Sequence, residues 1–534
     1  MNNKNRRNES NENKSTVNRR DLLKGAAVAG LTVATGAYGA PKNPGKPSKS
    51  PKSDLVRREN AKPGTRDWLL TKTRTVPGKI NNILLNGRSQ VIEGYCSANS
   101  VRAGEKLQVM VSTNPVSDFK LEIFRTGYYN GDGARLMKRF DSVKGITQPD
   151  PPVGENYVRE CQWEPSVEFE IPKDWLSGVY LGKLTAEKIG IQSYIIFIVR
   201  DNRPCDLLFQ CSELTWTAYN RWPADFSIYT KHDGRPSTTA PSGTVSFDRP
   251  YALFTHPVNK HKRSGGSGEF LPWEFPLSFW LEQYGYDVSY ISNIDTHSDP
   301  AGLLRSKGFI SVGHDEYWTV NMYDNVVKAR DEGVNLAFLS ANAVLCVVPL
   351  NPSSSGQSHR TTRREGWFFP DSPEVRRRMG RESPYEKGFK PALGRDGALL
   401  MGNRTTPPVM GSGDWTCALP EHWLFEGTGM KKGDSVKGLV GWEWHGAPMM
   451  SLPGMKVVAE GETRINGRRP GHYTATIYDG PKGNIVFNAA TIWWANGLSS
   501  PPGHKNPSRH GVTQQGPDKR VQQITHNLFK RMIV

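Results

Sequence analysis

The sequence predicts a β-sandwich followed by an α/β domain, and three observations carry that prediction. Between about Val76 and Arg200, short alternating segments are separated by turn clusters. After Asp201, continuous apolar strands alternate with segments of helical spacing. Ahead of both lies a basic leader that ends in a Pro- and Lys-rich stretch. Short strands between turns are the pattern of an antiparallel sandwich, and strand–helix alternation is that of a parallel sheet covered by helices.

The leader spans residues 1–40. A polar, basic start runs into Asn18-Arg19-Arg20-Asp21-Leu22-Leu23-Lys24, a twin-arginine pattern, and an Ala/Gly-rich run from Gly25 to Gly39 follows. That run is short of the ~20 apolar residues a membrane helix needs. Ala37-Tyr38-Gly39 places small residues where a signal peptidase reads them. The expectation is a protein exported by the twin-arginine machinery to the periplasmic, extracellular or cell-wall side. That route moves folded proteins and favours one that loads a cofactor first. Residues 41–75 follow as a tether, extended and disordered at least from Pro41 to Asp54.

Residues 76–200 form the expected sandwich, of immunoglobulin-like size. Leu107–Val111, Leu121–Phe124 and Val179–Leu184 alternate, and Ser193–Val199 is β-branched and aromatic. Residues 201–534 form the expected α/β domain, a doubly wound parallel sheet of flavodoxin/glutaminase-like type. Its strands are Cys205–Gln210, Asp287–Ile291, Gly308–Val312 and Val334–Leu339, with helices at Trp273–Tyr284 and Tyr323–Glu332. An Arg/Ser/Gly-rich stretch at about 351–408 reads as an irregular insertion. Strands then return at Gly438–Trp444, Gly471–Asp479 and Asn484–Asn488, and Val521–Met532 closes the chain as a helix.

Charge and cysteines narrow the function classes. Eleven basic and three acidic residues before Asp54 leave +9 of the +17 net charge on the rest. A moderately basic surface suits anionic cell-envelope polymers. Without a nucleic-acid motif it does not point to nucleic acid. The six cysteines show no CxxC or Cys/His zinc spacing. Outside the cytoplasm Cys96 and Cys161 could pair, whereas Cys205 and Cys211 lie ~20 Å apart along one strand. There is no GxSxG elbow, HExxH, P-loop or dinucleotide fingerprint. The sequence leaves a homo-oligomer open.

In an open parallel sheet, function collects beyond the carboxyl ends of the strands. That rule selects Ser212–Trp222, Gly313–Trp318 and Ser340–Asn342. His314 and Glu316 flank one residue at the end of a buried strand. They read either as a metal ligand or general base, or as a helix-capping Glu beside a satisfied histidine. Asn342 either orients a substrate carbonyl or ends its strand. Glu443, between Trp442 and Trp444, is either a shielded acid or part of a surface ion pair. Tyr219 and Tyr180 are packing residues by default, Tyr180 in the sandwich core.

Six segments in order point further. They are Phe124-Arg-Thr-Gly-Tyr-Tyr-Asn-Gly-Asp-Gly-Ala-Arg135, Asp174-Trp-Leu-Ser-Gly-Val-Tyr180, Ala218-Tyr-Asn-Arg-Trp222, Ser246-Phe-Asp-Arg-Pro250, Gly313-His-Asp-Glu-Tyr-Trp318 and Gly438-Leu-Val-Gly-Trp-Glu443. Together they resemble the large subunit of the N,N-dimethylformamidase family over residues 90–534. The resemblance implies hydrolysis of a small amide at a mononuclear ferric iron, Fe3+. It places the metal ligands at Tyr180, Tyr219 and Glu316, with His314 and Asn342 lining the site and Glu443 as a later acid. The chain departs from the family's enzyme in showing no sign of the small subunit that enzyme works with, and in offering Arg363 or Arg364 where the family has an active-site lysine. The function expected is an exported, metal-dependent amide hydrolase acting on a small amide-like substrate. The rivals are a non-catalytic cell-envelope binding protein with a degenerate α/β domain, and a hydrolase with another metal or none.

Overall fold

The computed structural model describes residues 54–73, 88–230, 241, 243–253, 264–370, 388–446, 448 and 451–534, all within one compact unit, Pro51–Val534. The leader and residues 41–53 lie outside the described residues. The fold is a sheet-rich mix of α and β elements.

The spacer expected over 41–75 does not run through its second half. Leu55–Asn60 is a helix with Val56 buried. Trp68 is buried too, and its indole N–H donates to the Asp132 carbonyl at 2.9 Å. A tryptophan and a helix face that find apolar partners pack rather than remain extended, because each buried apolar side chain contributes about 2 kcal/mol.

Residues 92–200 build two sheets. Ile92–Cys96, Lys106–Thr113 and Pro165–Glu170 make an antiparallel sheet of three strands. Ser100–Arg102, Gln192–Arg200, Gly178–Ala186, Phe119–Thr126 and Ala134–Val143 make a sheet of five, in that order. The two share a cluster of buried apolar side chains that includes Val109, Leu121, Phe169, Tyr180 and Phe197. The period of two sends Val179 and Leu181 the other way, into a core shared with Leu207 and Phe209 of the next sheet.

That next sheet has seven strands: β1 (Cys205–Cys211), β2 (Val288–Ser292), β3 (Ser306–His314), β4 (Asn335–Ala341), β5 (Lys456–Ile465), β6 (Arg468–Asp479) and β7 (Ile485–Asn488). Their order is β2-β1-β3-β4-β7-β6-β5. The pairings among β2, β1, β3, β4 and β7 are parallel. Those of β7 with β6 and β6 with β5 are antiparallel, so the sheet is mixed rather than parallel throughout. β1, β3 and β4 are buried along almost their whole length, which accounts for their unbroken apolar runs. The strand expected at Gly438–Trp444 is Ser435–Val440, and it pairs with Gly413–Thr416 outside the large sheet.

The helices Glu213–Tyr219, Phe275–Gln283, Val320–Asp331 and Lys519–Met532 pack around this sheet. Within 351–408 the described residues hold only two-residue strands and the short helix Gly397–Met401, yet Arg364, Phe368 and Arg404 are buried. All six cysteines are buried and unpaired, so the Cys96–Cys161 bridge is not formed. No helix among the described residues is long and apolar enough to cross a membrane.

Candidate functional site

The parallel strands β1, β3 and β4 are neighbours, and the segments that follow them meet beyond their carboxyl ends. β3 ends in Gly313-His314. Gly313 has φ +66°, and a Cβ there would sit 2.7 Å from the Trp273 Cβ, so glycine is required for the turn that aims His314. Asp315 anchors the turn. Its Oδ2 accepts from Gln210 and Ser311, both at 2.8 Å, and its Oδ1 accepts from Asn293 at 3.3 Å. Thr215, on the helix after β1, accepts the Glu316 amide at 3.0 Å. Beyond β4, Asn342 and Val344 adopt φ of +51° and +50°. Asn tolerates that left-handed conformation, whereas Val costs energy there and must be held by its surroundings. The hold comes from the Asp315 carbonyl, which accepts the Val344 amide at 3.2 Å, and from His445, whose Nε2 accepts the Ala343 amide at 3.2 Å.

On this frame a compact set of oxygens forms. The Tyr219 hydroxyl donates to Glu316 Oε2 at 2.6 Å and lies 3.0 Å from the Tyr229 hydroxyl. The Tyr229 hydroxyl in turn touches that of Tyr317. Cys346 Sγ lies 3.6 Å from Glu316 Oε1. The Arg364 guanidinium stacks over the Tyr229 ring at 4.4 Å.

Beside the oxygens sits His314, ringed by carboxylates. Its Nε2 is 3.2 Å from Glu316 Oε2 and 3.1 Å from Glu443 Oε2, and its Nδ1 is 3.3 Å from Glu269 Oε2. Asn342 Nδ2 donates to Glu443 Oε2 at 3.1 Å, and the Thr405 hydroxyl holds Asn342 Oδ1 at 2.8 Å. The Tyr219 ring and the Trp442 ring flank the imidazole at 5.1 and 5.4 Å.

Burial governs the protonation states. It pushes the Tyr219, Tyr229 and Tyr317 hydroxyls well above the usual phenol range, and the Glu316 carboxylate pushes the same way. Burial also raises Glu443 and Glu269, while His314 draws both back. Burial works against the His314 cation, but Glu443, Glu269 and Glu316 together hold its pKa well above the usual imidazole range.

Of the residues expected at the site, Tyr219, His314, Glu316, Asn342 and Glu443 share one hydrogen-bonded cluster. Tyr180 does not join it. It stacks between Trp175 and Phe197 in the sandwich core, and its hydroxyl donates to the Leu176 carbonyl at 2.7 Å. The period of two explains this: Tyr180 faces the interior of its own two sheets, while Val179 and Leu181 face the seven-stranded sheet. The tyrosine that meets the Tyr219 hydroxyl instead is Tyr229, ten residues further on in an irregular segment. Sequence reasoning also missed Tyr317 and Glu269. Tyr317 adjoins Glu316 in the Gly313–Trp318 motif and was findable from it. Between Arg363 and Arg364, it is Arg364 that reaches the tyrosines.

His445 gives a stability prediction. It is fully buried, and its Nδ1 lies 3.0 Å from Asn488 Oδ1. Because Nε2 accepts from Ala343, Nδ1 carries the proton and the ring is neutral. Burial pushes its pKa down to about 4. The folded value is below the unfolded one, so this contribution is complete above about pH 6.5 and is lost as pH falls through 4. It amounts to ~3 kcal/mol. The expected result is a Tm that drops between pH 6.5 and 4 in the wild type and drops less in His445→Gln, measured by calorimetry across pH.

The chain matches, over residues 120–508, the family described as N,N-dimethylformamidase beta subunit-like, C-terminal. It is also similar to the N,N-dimethylformamidase beta subunit of an Alcaligenes species, at 24% identity over 295 residues. That match covers 48% of this chain and 36% of the relative, so the chain spans about a third of the length of the curated protein it resembles. With the family match extending over nearly three quarters of its length, this chain belongs to the N,N-dimethylformamidase beta subunit-like family.

Proposed function

We propose that this protein is a metal-dependent hydrolase of amide or related C–N bonds, with ferric iron held by Tyr219, Tyr229 and Glu316. The observation that carries the reading is the convergence of these three oxygens, at spacings of 2.6 and 3.0 Å, beside the His314–Glu443 pair. Oxygens that share a small ion at about 2.0–2.1 Å lie about 3 Å apart on adjacent positions, so the spacings fit. Among the described residues no three His, Cys, Asp or Glu side chains are arranged to hold one metal, so a centre here draws on the phenols. Phenol and carboxylate oxygens suit a hard cation. Three carboxylates around one imidazole leave negative charge that a cation would offset.

Bound ferric iron would polarise the substrate carbonyl and acidify water. The chain's own residues handle the protons. His314 Nε2, between Glu316 and Glu443, is placed to deliver a proton to the leaving nitrogen. Glu443 takes up and returns the proton that His314 exchanges, and Asn342 keeps the carboxylate turned toward the ring. The indoles of Trp442 and Trp273, 5.1 Å apart, form an apolar wall that strengthens these charge interactions.

The finer architecture belongs to the same proposal. The order β2-β1-β3-β4 supports flavodoxin-like double winding, and the two sheets with one core support an immunoglobulin-like sandwich ending near residue 200. The relative's name as a beta subunit supports assembly with a further chain.

The test is metal analysis and a visible spectrum of the purified protein, with hydrolysis of formamide and N-alkylformamides followed by amine release. Near-stoichiometric iron, a phenolate charge-transfer band and amine release are the expected results. Colourless protein that stays metal-free after iron is supplied would overturn the reading. The leader carries a separate proposal of export. Replacing Arg19 and Arg20 together by Lys is expected to keep the protein in the cytoplasm, read by fractionation of the producing cells. Continued export would mean that another pathway reads the leader.

A further inference from the structure

Glu269 reaches the site by a specific route. The segment Ser264-Gly-Gly-Ser-Gly268 is tightly wound, with the Ser264 hydroxyl donating to the Ala252 carbonyl at 3.0 Å and the Ser267 hydroxyl to the Ser264 carbonyl at 2.7 Å. Gly268 has φ +59°, and a Cβ there would lie 2.8 Å from the Trp216 ring, so the backbone passes where only glycine fits. The next residue, Glu269, is 1% exposed and opens a π-helical turn, Phe270–Glu274, a distortion that recurs at functional sites. Burying a carboxylate is costly, and a partner has to compensate it. The compensating contacts are His314 Nδ1, 3.3 Å from Glu269 Oε2, and the indole N–H of Trp273.

Both ring nitrogens face carboxylate oxygens, which accept, so Nδ1 donates to Glu269 and Nε2 donates on the side of Glu316 and Glu443. The rings of Tyr219 and Trp442 set the plane of the imidazole. A plane alone allows the ring to flip and exchange Nδ1 for Cδ2. The bond to Glu269 opposes that flip and turns Nε2 toward Glu316 and Glu443. Partners of this kind behind a working histidine fix its orientation, and their loss costs ~10–100-fold in activity.

We propose that Glu269 is the positioning residue that fixes the His314 ring with Nε2 between Glu316 and Glu443; its role in turnover rests on the amide-hydrolase reading above. The experiment compares Glu269→Ala and Glu269→Gln with wild type. A glutamine Oε1 still accepts the Nδ1 hydrogen, whereas alanine accepts nothing. Expected are a kcat that falls ~10–100-fold in Glu269→Ala with KM little changed, recovery of most of that loss in Glu269→Gln, and unchanged metal content in both. In 15N-histidine spectra of the metal-free protein, the His314 Nδ1 signal should shift in Glu269→Ala, where its hydrogen bond is lost, and stay close to wild type in Glu269→Gln. An unaltered His314 signal in Glu269→Ala, or a glutamine variant as impaired as the alanine one, would overturn the proposal. If wild type neither binds metal nor hydrolyses amides, the hydrolase reading fails, and the nitrogen spectra still decide what Glu269 does.

Discussion

Tyr229→Phe is expected to abolish binding of the proposed metal, while Tyr180→Phe leaves metal content at the wild-type level. The two variants remove the same atom from two buried tyrosines, so the comparison isolates position. Tyr229 has its hydroxyl 3.0 Å from that of Tyr219, which itself lies 2.6 Å from Glu316 Oε2. Tyr180 gives its hydrogen bond to a backbone carbonyl in the sandwich. Burial keeps the phenols of Tyr219 and Tyr229 protonated on their own, so only a bound cation makes them anionic. Losing one of three ligands should weaken binding more than the 10–100-fold that loss of an outer partner brings. Glu316→Gln should do the same, because a neutral amide is a poor substitute for a carboxylate at a hard cation. The readout is iron per protein chain together with the charge-transfer band. Full occupancy in Tyr229→Phe or in Glu316→Gln would remove that residue from the ligand set. Loss in Tyr317→Phe with retention in Tyr229→Phe would move the second phenol one place along the cluster.

The parts of this site that follow regular elements were legible, and the parts delivered by irregular chain were not. His314 and Glu316 close a buried strand, where a titratable pair draws attention because burial makes it costly. Tyr219 lies on the helix that follows β1, and Asn342 follows β4, so the rule of strand ends finds both. Tyr229 has no such marker. It arrives through a stretch without helix or strand, and its role exists only because that stretch folds back on the helix Glu213–Tyr219. Glu269 is likewise brought in by a glycine-wound turn. Tyr180 shows the opposite case, since the family resemblance placed a ligand where the alternation of its strand already pointed to the sandwich core. In the fold, the buried parallel strands were readable as apolar runs. β5 was not, because this edge strand exposes Lys456, Glu460, Glu462 and Arg464 and has no continuous apolar face.

Glu282→Gln is expected to destabilise the protein by about 3–5 kcal/mol, although it is near-isosteric. Arg125 and Glu282 are both fully buried. Their two hydrogen bonds are each 2.9 Å, Nη1 to Oε2 and Nη2 to Oε1. The pair joins the sandwich strand Phe119–Thr126 to the helix Phe275–Gln283. Asn60 from the N-terminal helix donates to Glu282 at 2.7 Å, and Tyr290 from β2 donates at 2.9 Å. Four elements therefore meet on one carboxylate. Glutamine keeps the volume and most of the acceptor geometry but removes the charge. The Arg125 guanidinium then remains buried without its counter-ion, and that desolvation dominates the cost. The double variant Arg125→Met with Glu282→Met tests the reasoning. It removes both charges and should lose much less than Glu282→Gln alone, because an apolar pair carries no desolvation penalty. Urea unfolding of the three proteins gives the comparison. If the double variant is as unstable as Glu282→Gln, hydrogen-bonded geometry rather than charge compensation holds the sandwich to the helix.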